Sequence, residues 1–171
     1  TTDESVAQGA LQKRKPKLLV ITDVFGLALS DAACDAIRQF VQDGGTVVAM
    51  LSPALFDDKG RLRENGGLDD VFGVTRDRIE FGKRPSDYLV NPNKNPDSRL
   101  FVPGWLMAEF FEKGLKTTSG KAVGEHIFLK EPAPALILND FGNGQALLLN
   151  MLETQYYRYP YVDALKMTRA V

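Results

Sequence analysis

The chain has 171 residues and a mass of 18.9 kDa, enough for one domain with a sizeable core. Hydrophobic residues make up 44% and charged residues 25%, a globular composition, and 21 Lys+Arg against 22 Asp+Glu leave a formal charge of −1. That balance supplies no field to gather nucleic acid or an anionic membrane, and no apolar run reaches the ~20 residues a spanning helix needs. One cysteine excludes an internal disulfide and a multi-cysteine metal site, and one histidine leaves little material for His-based catalysis. No metal and no cofactor are expected.

Thr1 to Gln12 is polar with scattered small apolar residues, followed by the basic run Lys13, Arg14, Lys15 and Lys17. It lacks the apolar stretch of a signal peptide. It also does not begin with Met, so the chain reads as a piece of something longer, with residues 1–16 a linker or helix. No compartment is fixed by this end; the cytoplasm is the favoured expectation.

The first strong element is Leu18-Leu19-Val20-Ile21, an unalternated apolar run of the kind buried on both faces of a sheet. Ser30 and Asp31 supply a cap and a first-turn acid. Ala33, Ile37, Phe40 and Val41 then recur at helical spacing, and Gly44-Gly45 stops the helix through a left-handed C-cap. Thr46 to Leu51 is a second buried strand. Strand, helix, Gly stop and strand form a βαβ unit, implying parallel pairing.

Residues 57–99 carry nine basic and nine acidic residues, a solvated mixed-charge stretch. Within it Leu68 to Phe72 predicts a short helix, Arg78 to Phe81 a strand, and Asn91 to Pro96 a loop. Leu100 to Val102 predicts a strand and Trp105 to Lys113 a helix ended by Gly114. Ala135 to Asn139 and Gln145 to Asn150 form a hairpin, with Asn143-Gly144 as a type I′ turn. The expected fold is three-layer α/β with a mostly parallel, Rossmann-like (flavodoxin-like) sheet and a late antiparallel hairpin. It forms one domain, with residues 17–152 the core and 153–171 a C-terminal extension.

Cys34 sits inside the first helix, away from any strand-to-helix elbow, and reads as a packed thiol. His126, at the start of a predicted strand, reads as a hydrogen-bonded structural residue. A hydrolase built on these two is the remote alternative. Gly44-Gly45 follows a helix and opens a strand, the reverse of a dinucleotide loop, and Gly142 and Gly144 belong to the hairpin. Asp57-Asp58 and Asp69-Asp70 read as solvated surface acids. Tyr156, Tyr157, Tyr159 and Tyr161 combine apolar bodies with polar tips, which suits either docking on the sheet or an interface. Asp23, Ser52 and Glu153 follow strands and could line a small-molecule crevice at the strand ends, or serve as turn and cap residues.

Lys17-Leu-Leu-Val-Ile-Thr-Asp23, Leu29-Ser30-Asp31 and Ile37-Arg-Gln-Phe-Val-Gln-Asp-Gly-Gly-Thr-Val-Val48 resemble the class I glutamine amidotransferase-like fold. More narrowly, they are similar to the β-galactosidase trimerisation domain that accompanies the catalytic barrel of bacterial glycoside hydrolases. Asp57 to Arg61, Gly67 to Gly73 and the hairpin Phe141 to Asn150 extend the resemblance over most of residues 5–152. It implies an extra strand, helix and strand ahead of the segment matching Ser5 to Lys17, supplied from upstream or by another chain. The amidotransferase cysteine elbow with its partners, and the Asn-Glu dipeptide of the related barrels, have no matching positions. The resemblance therefore implies a non-catalytic domain for self-association or for association with a catalytic domain, with carbohydrate the expected ligand of any crevice.

Overall fold

The computed structural model describes residues 2–22, 27–77, 79–83, 89–91, 106–107, 110–126 and 133–151. Two short helices, α1 (Asp3–Ala7) and α2 (Ala10–Arg14), precede strand β1 (Leu18–Ile21). Helix α3 (Asp31–Gln42) leads into β2 (Thr46–Met50), and α4 (Asp69–Phe72) into β3 (Val74–Arg76). Strands β4 (Phe81–Lys83), β5 (Leu89–Asn91), β6 (Leu106–Met107), β7 (Phe110–Glu112) and β8 (Leu115–Thr117) follow. Strands β9 (Lys121–His126), β10 (Ala133–Phe141) and β11 (Gly144–Leu149) complete the order.

The main sheet has seven strands in the order β1-β2-β11-β10-β9-β5-β6. β1 pairs parallel with β2, and β2 parallel with β11; the four remaining pairings are antiparallel. The sheet is therefore mixed, where a mostly parallel one was expected. A parallel neighbour needs a long crossover, and the βαβ unit through α3 provides one, whereas β10 and β11 are joined by a two-residue turn. β3 pairs with β8 and β4 with β7 as two small ribbons.

Residues 1–16, a linker or helix by sequence, contain α1 and α2, whose Val6 and Leu11 are buried in the main core cluster. That cluster joins residues of all four helices to Ile21, Val47, Ala49, Ile137, Ala146 and Leu148 of the sheet. The other sheet face carries a second apolar cluster, including Val48, Leu136, Leu147 and Leu149, to which no described helix contributes. Among the described residues the helices thus form one layer on one face.

α3 forms as its sequence requires. The Ser30 hydroxyl accepts from the Ala33 N–H at 3.2 Å, and Ala33, Cys34, Ile37, Phe40 and Val41 turn to the sheet. Its end is a Schellman motif: Gly44 at φ +105° donates to Val41 O and Gly45 donates to Phe40 O, both at 3.0 Å. The hairpin turn lies one residue earlier than expected, since Phe141 pairs with Gly144 and the central residues are Gly142 and Asn143. Of the two only Gly142 has positive φ (+60°), which matches a II′ turn and not the I′ turn that Asn143-Gly144 suggests. Gly144 is glycine for a different reason: a Cβ there would lie 2.2 Å from both Gly45 O and Val41 O.

Two further expectations change. Leu18 and Val20 are 40% and 49% exposed, so β1 buries one face only: Val20 is in register with Val48, on the face to which no described helix contributes. The helix expected over Trp105 to Lys113 is absent where described: Leu106–Met107 and Phe110–Glu112 are strands, since Phe111 and Glu112 are recruited by pairing with β4. The expected helix at Leu68 to Phe72 is α4, and the strand expected over Arg78 to Phe81 forms slightly later, as β4. Leu100 to Val102 and residues 92–96 lie outside the described residues.

Replacing Gly144 by Ala must push apart two backbone segments, since both obstructing atoms are carbonyl oxygens. Urea unfolding should show a loss of about 1–3 kcal/mol for Gly144→Ala. Gly60→Ala, with open space around its Cβ and only its φ of +74° against it, should lose about 1 kcal/mol.

Candidate functional site

The C-terminal end of β2 is where an open α/β sheet offers a crevice, and Ser52 lies there. The chain leaves β2 through two non-glycine residues with positive φ, Leu51 (58°) and Ala54 (56°), which bracket Ser52-Pro53. Leu51 N–H donates to Leu149 O at 2.7 Å and Gly67 N–H donates to Ala54 O at 2.9 Å, so both are held by neighbouring backbone. This path turns Ser52 inward. Its hydroxyl donates to Glu112 Oε2 at 2.6 Å, and the residue is buried.

Glu112 is the centre of a buried polar network. Its other oxygen, Oε1, lies 2.7 Å from Arg76 Nε, with side-chain exposures of 0% and 1%. Arg76 Nη1 also pairs with Asp69 Oδ1, and Asp69 Oδ2 accepts from the Gly66 N–H at 2.8 Å. Burial works against the Arg76 charge, but Glu112 and then Asp69 outweigh it, so its pKa rises and the guanidinium stays ionised. Asn150 clamps the adjoining backbone. Its Oδ1 accepts from Glu112 N–H at 2.9 Å, and its Nδ2 donates to Glu112 O and Pro134 O, both at 2.8 Å. His126 Nε2 lies 2.8 Å from Asn150 O, and its ring packs on Phe111 with centroids 4.3 Å apart.

The expected surface acid Asp69 is therefore buried, because Arg76 and the Gly66 amide need it. Its neighbour Asp70 is exposed and pairs with Arg38, as Asp57 pairs with Arg61. Sequence reading missed Arg76, Glu112 and Asn150: the mixed-charge stretch conceals Arg76, the helix expected over Trp105 to Lys113 conceals Glu112, and Asn150 reads as the end of an apolar strand. His126 ends its strand rather than starting it, and it is buried and hydrogen-bonded as expected. Cys34 is 3% exposed, and burial pushes its thiol up to about 11. That is a packed thiol and not an activated nucleophile. Asp23, Glu153, Tyr156, Tyr157, Tyr159 and Tyr161 lie outside the described residues. Of the three strand-end residues only Ser52 is placed, with its hydroxyl committed to Glu112.

A second feature lies at the β1 margin of the sheet. Beside β1 runs a groove of about 740 Å³ lined by Thr2, Asp3 and Val6 of the α1 region, Leu18 to Thr22, and Leu29, Ala33 and Ile37. Among the described residues no strand lies beyond β1. No group of three or more His, Cys, Asp or Glu able to hold a metal, and no helix long and apolar enough to cross a membrane, occurs among them either.

No known family's sequence pattern matches the chain, and no curated protein matches it. Solved structures do. The β-galactosidase of Rahnella sp. R3 superposes with a TM-score of 0.69 at 19% identity, over 91% of this chain and 23% of that one. The β-galactosidase of Bacillus circulans sp. alkalophilus gives 0.67 at 17% identity, over 81% of this chain and 20% of that one. The fold is that of a β-galactosidase segment. This chain spans about a fifth of the length of those enzymes. A cytoplasmic protein of Salmonella typhimurium LT2 gives 0.68 at 12% identity, over 99% of this chain and 78% of that one. The resemblance read from residues 17–51 and 135–152 is met at the level of the fold.

Breaking the buried ion pair from one side leaves an uncompensated charge. Arg76→Met should cost about 3–5 kcal/mol in denaturant unfolding, and a matched Arg76→Met/Glu112→Leu pair should recover part of that loss. The Cys34 thiol binds its proton more tightly folded than at its ordinary value of 9.0. Its contribution is whole below pH 9 and is lost as pH rises towards 11, by about 2–3 kcal/mol. The difference in unfolding free energy between the native protein and Cys34→Ala should shrink across that window.

Proposed function

We propose that the chain is a non-catalytic accessory domain of a carbohydrate-active protein, and that it works by association with a copy of itself or with another domain. The observation that carries this reading is the β1 edge: an apolar strand, two exposed aliphatic side chains and an adjoining groove at the margin of the main sheet among the described residues. Soluble proteins normally blunt such an edge with charge, proline or a bulge, and Leu18 to Ile21 contains none of these. The carbohydrate setting rests on the shared fold with β-galactosidase segments. The non-catalytic part rests on the chemistry present: the Ser52 hydroxyl is committed to a carboxylate already paired with Arg76, and Cys34 is a buried, protonated thiol. The Rossmann-like, amidotransferase-like form of the fold belongs to the same reading. It requires a third layer over Val48, Leu136, Leu147 and Leu149, whose apolar character supports it.

Native mass spectrometry of the protein across a concentration series tests this. An assembly larger than one chain, with no turnover of a chromogenic β-galactoside, is the expected result. A strictly monomeric protein overturns association with a copy of itself and leaves only association with another domain, and galactoside turnover lost in Ser52→Ala overturns the non-catalytic part.

A further inference from the structure

Resting on the carbohydrate part of that reading, we propose that a neutral sugar binds through its hydroxyls in a groove at the carboxyl ends of β1 and β2, held by Asp31, Asp35, Arg63 and Asn65. The groove encloses about 390 Å³ between the first turns of α3 and the loop that leads into α4. It lies where an open α/β sheet offers a crevice, because α3 follows β1 and this loop follows β2 at that end, with Ala28 bridging Phe56 in parallel. Ser52, expected to line such a crevice, is turned inward to Glu112 and is not part of it.

The groove is rigid before any ligand arrives. A Cβ at Gly66 would lie 2.3 Å from Asp69 Oδ1, and one at Gly67 2.9 Å from Cys34 Sγ. Only glycine there lets the loop backbone seat directly on α4 and α3. Two arginines brace it. Arg38 donates to both Asp70 oxygens, to Asp35 Oδ1 at 2.7 Å and to Gly67 O at 3.0 Å. Arg63 donates from Nη1 to Asp31 Oδ1 at 2.5 Å and from Nη2 to Leu29 O at 2.9 Å. Their side chains are 29% and 18% exposed, so both are already fixed, and little rotamer freedom is left to lose on binding.

The groups left over select the ligand. Asp31 and Asp35 stand one turn apart on α3, and each gives one oxygen to its arginine. With both side chains largely exposed, the other oxygen of each faces solvent. Arg63 Nη1 and Nη2 each carry a second N–H, and the exposed Asn65 amide adds a donor and an acceptor at the rim. An anion entering here would meet Asp31, Asp35 and Asp70, and a metal cation would meet Arg38 and Arg63. A vicinal diol brings no charge, and each of its hydroxyls can donate to a carboxylate while accepting from a guanidinium N–H. That is the hydrogen-bonding pattern of a sugar ring.

NMR of backbone amides and arginine side chains in the 171-residue protein, titrated with methyl β-D-galactopyranoside and methyl β-D-glucopyranoside, tests the proposal. At least one glycoside should shift the amides of Asp31, Asp35, Asn65, Gly66 and Gly67 and the Arg63 guanidinium. Saturation is expected with a dissociation constant on the order of 1–10 mM for so open a groove. Asn65→Trp, which fills the mouth, should abolish the shifts, and Asp35→Ala should weaken binding about tenfold. Both positions are exposed, so circular dichroism should show the variants folded. Sodium phosphate or calcium chloride moving these signals where neither glycoside does overturns the ligand class. Glycoside shifts centred elsewhere, or unchanged in Asn65→Trp, overturn this groove and leave the carbohydrate setting standing. No glycoside shift anywhere overturns the proposal, while association, read separately by native mass spectrometry, stands or falls on its own.

Discussion

The buried pairing of Arg76 with Glu112 is the constraint on which the middle of the chain depends. Its members come from β3 and β7, and through Asp69, Ser52 and Asn150 it reaches α4, the exit of β2 and the end of β11. A guanidinium cannot be taken from water without compensation, so burying Arg76 requires both carboxylates at once. That requirement specifies how the two small ribbons sit against the main sheet more sharply than apolar packing alone would. The tight exit from β2, with Leu51 and Ala54 in left-handed conformations, is the local strain that brings Ser52 to Glu112.

The same network commits the polar side chains described at the end of β2 to one another. A serine at the end of a strand beside a carboxylate and a histidine has the composition of a hydrolase site, yet the connections differ. Glu112 accepts a hydrogen bond from the Ser52 hydroxyl directly and is charge-paired with Arg76, and His126 Nε2 is engaged with the Asn150 carbonyl. Polar groups placed to satisfy one another serve architecture. Among the described residues the main-sheet strand with one neighbour and exposed aliphatic side chains is β1, far along the sheet order from His126 on β9.

The first βαβ unit and the late hairpin were legible because their signals are local. Ser30, the 3.6-residue recurrence from Ala33 to Val41, and Gly44-Gly45 act within one helix and its caps. Gly142 and Asn143 close a turn within two residues, one position earlier than expected, and the close approach of Gly144 to Val41 and Gly45 is a tertiary matter. The segment over Trp105 to Lys113 misled because its helix-like spacing competes with a strand partner, β4, supplied from about 30 residues away.

By itself the sequence determined the α/β class, the parallel pairing of the first two strands and the packed role of Cys34. All of these follow from residue type, spacing and caps, which act over a turn or a strand. The tertiary structure alone decided that Asp69, Arg76 and Glu112 are core residues, because a charge is buried only where its counter-charge arrives from elsewhere in the chain. It alone decided, too, that Leu18-Leu19-Val20-Ile21 lies at a margin of the sheet among the described residues. A run of aliphatic residues looks the same in the middle of a sheet and at its edge, and only the presence or absence of a neighbouring strand distinguishes them.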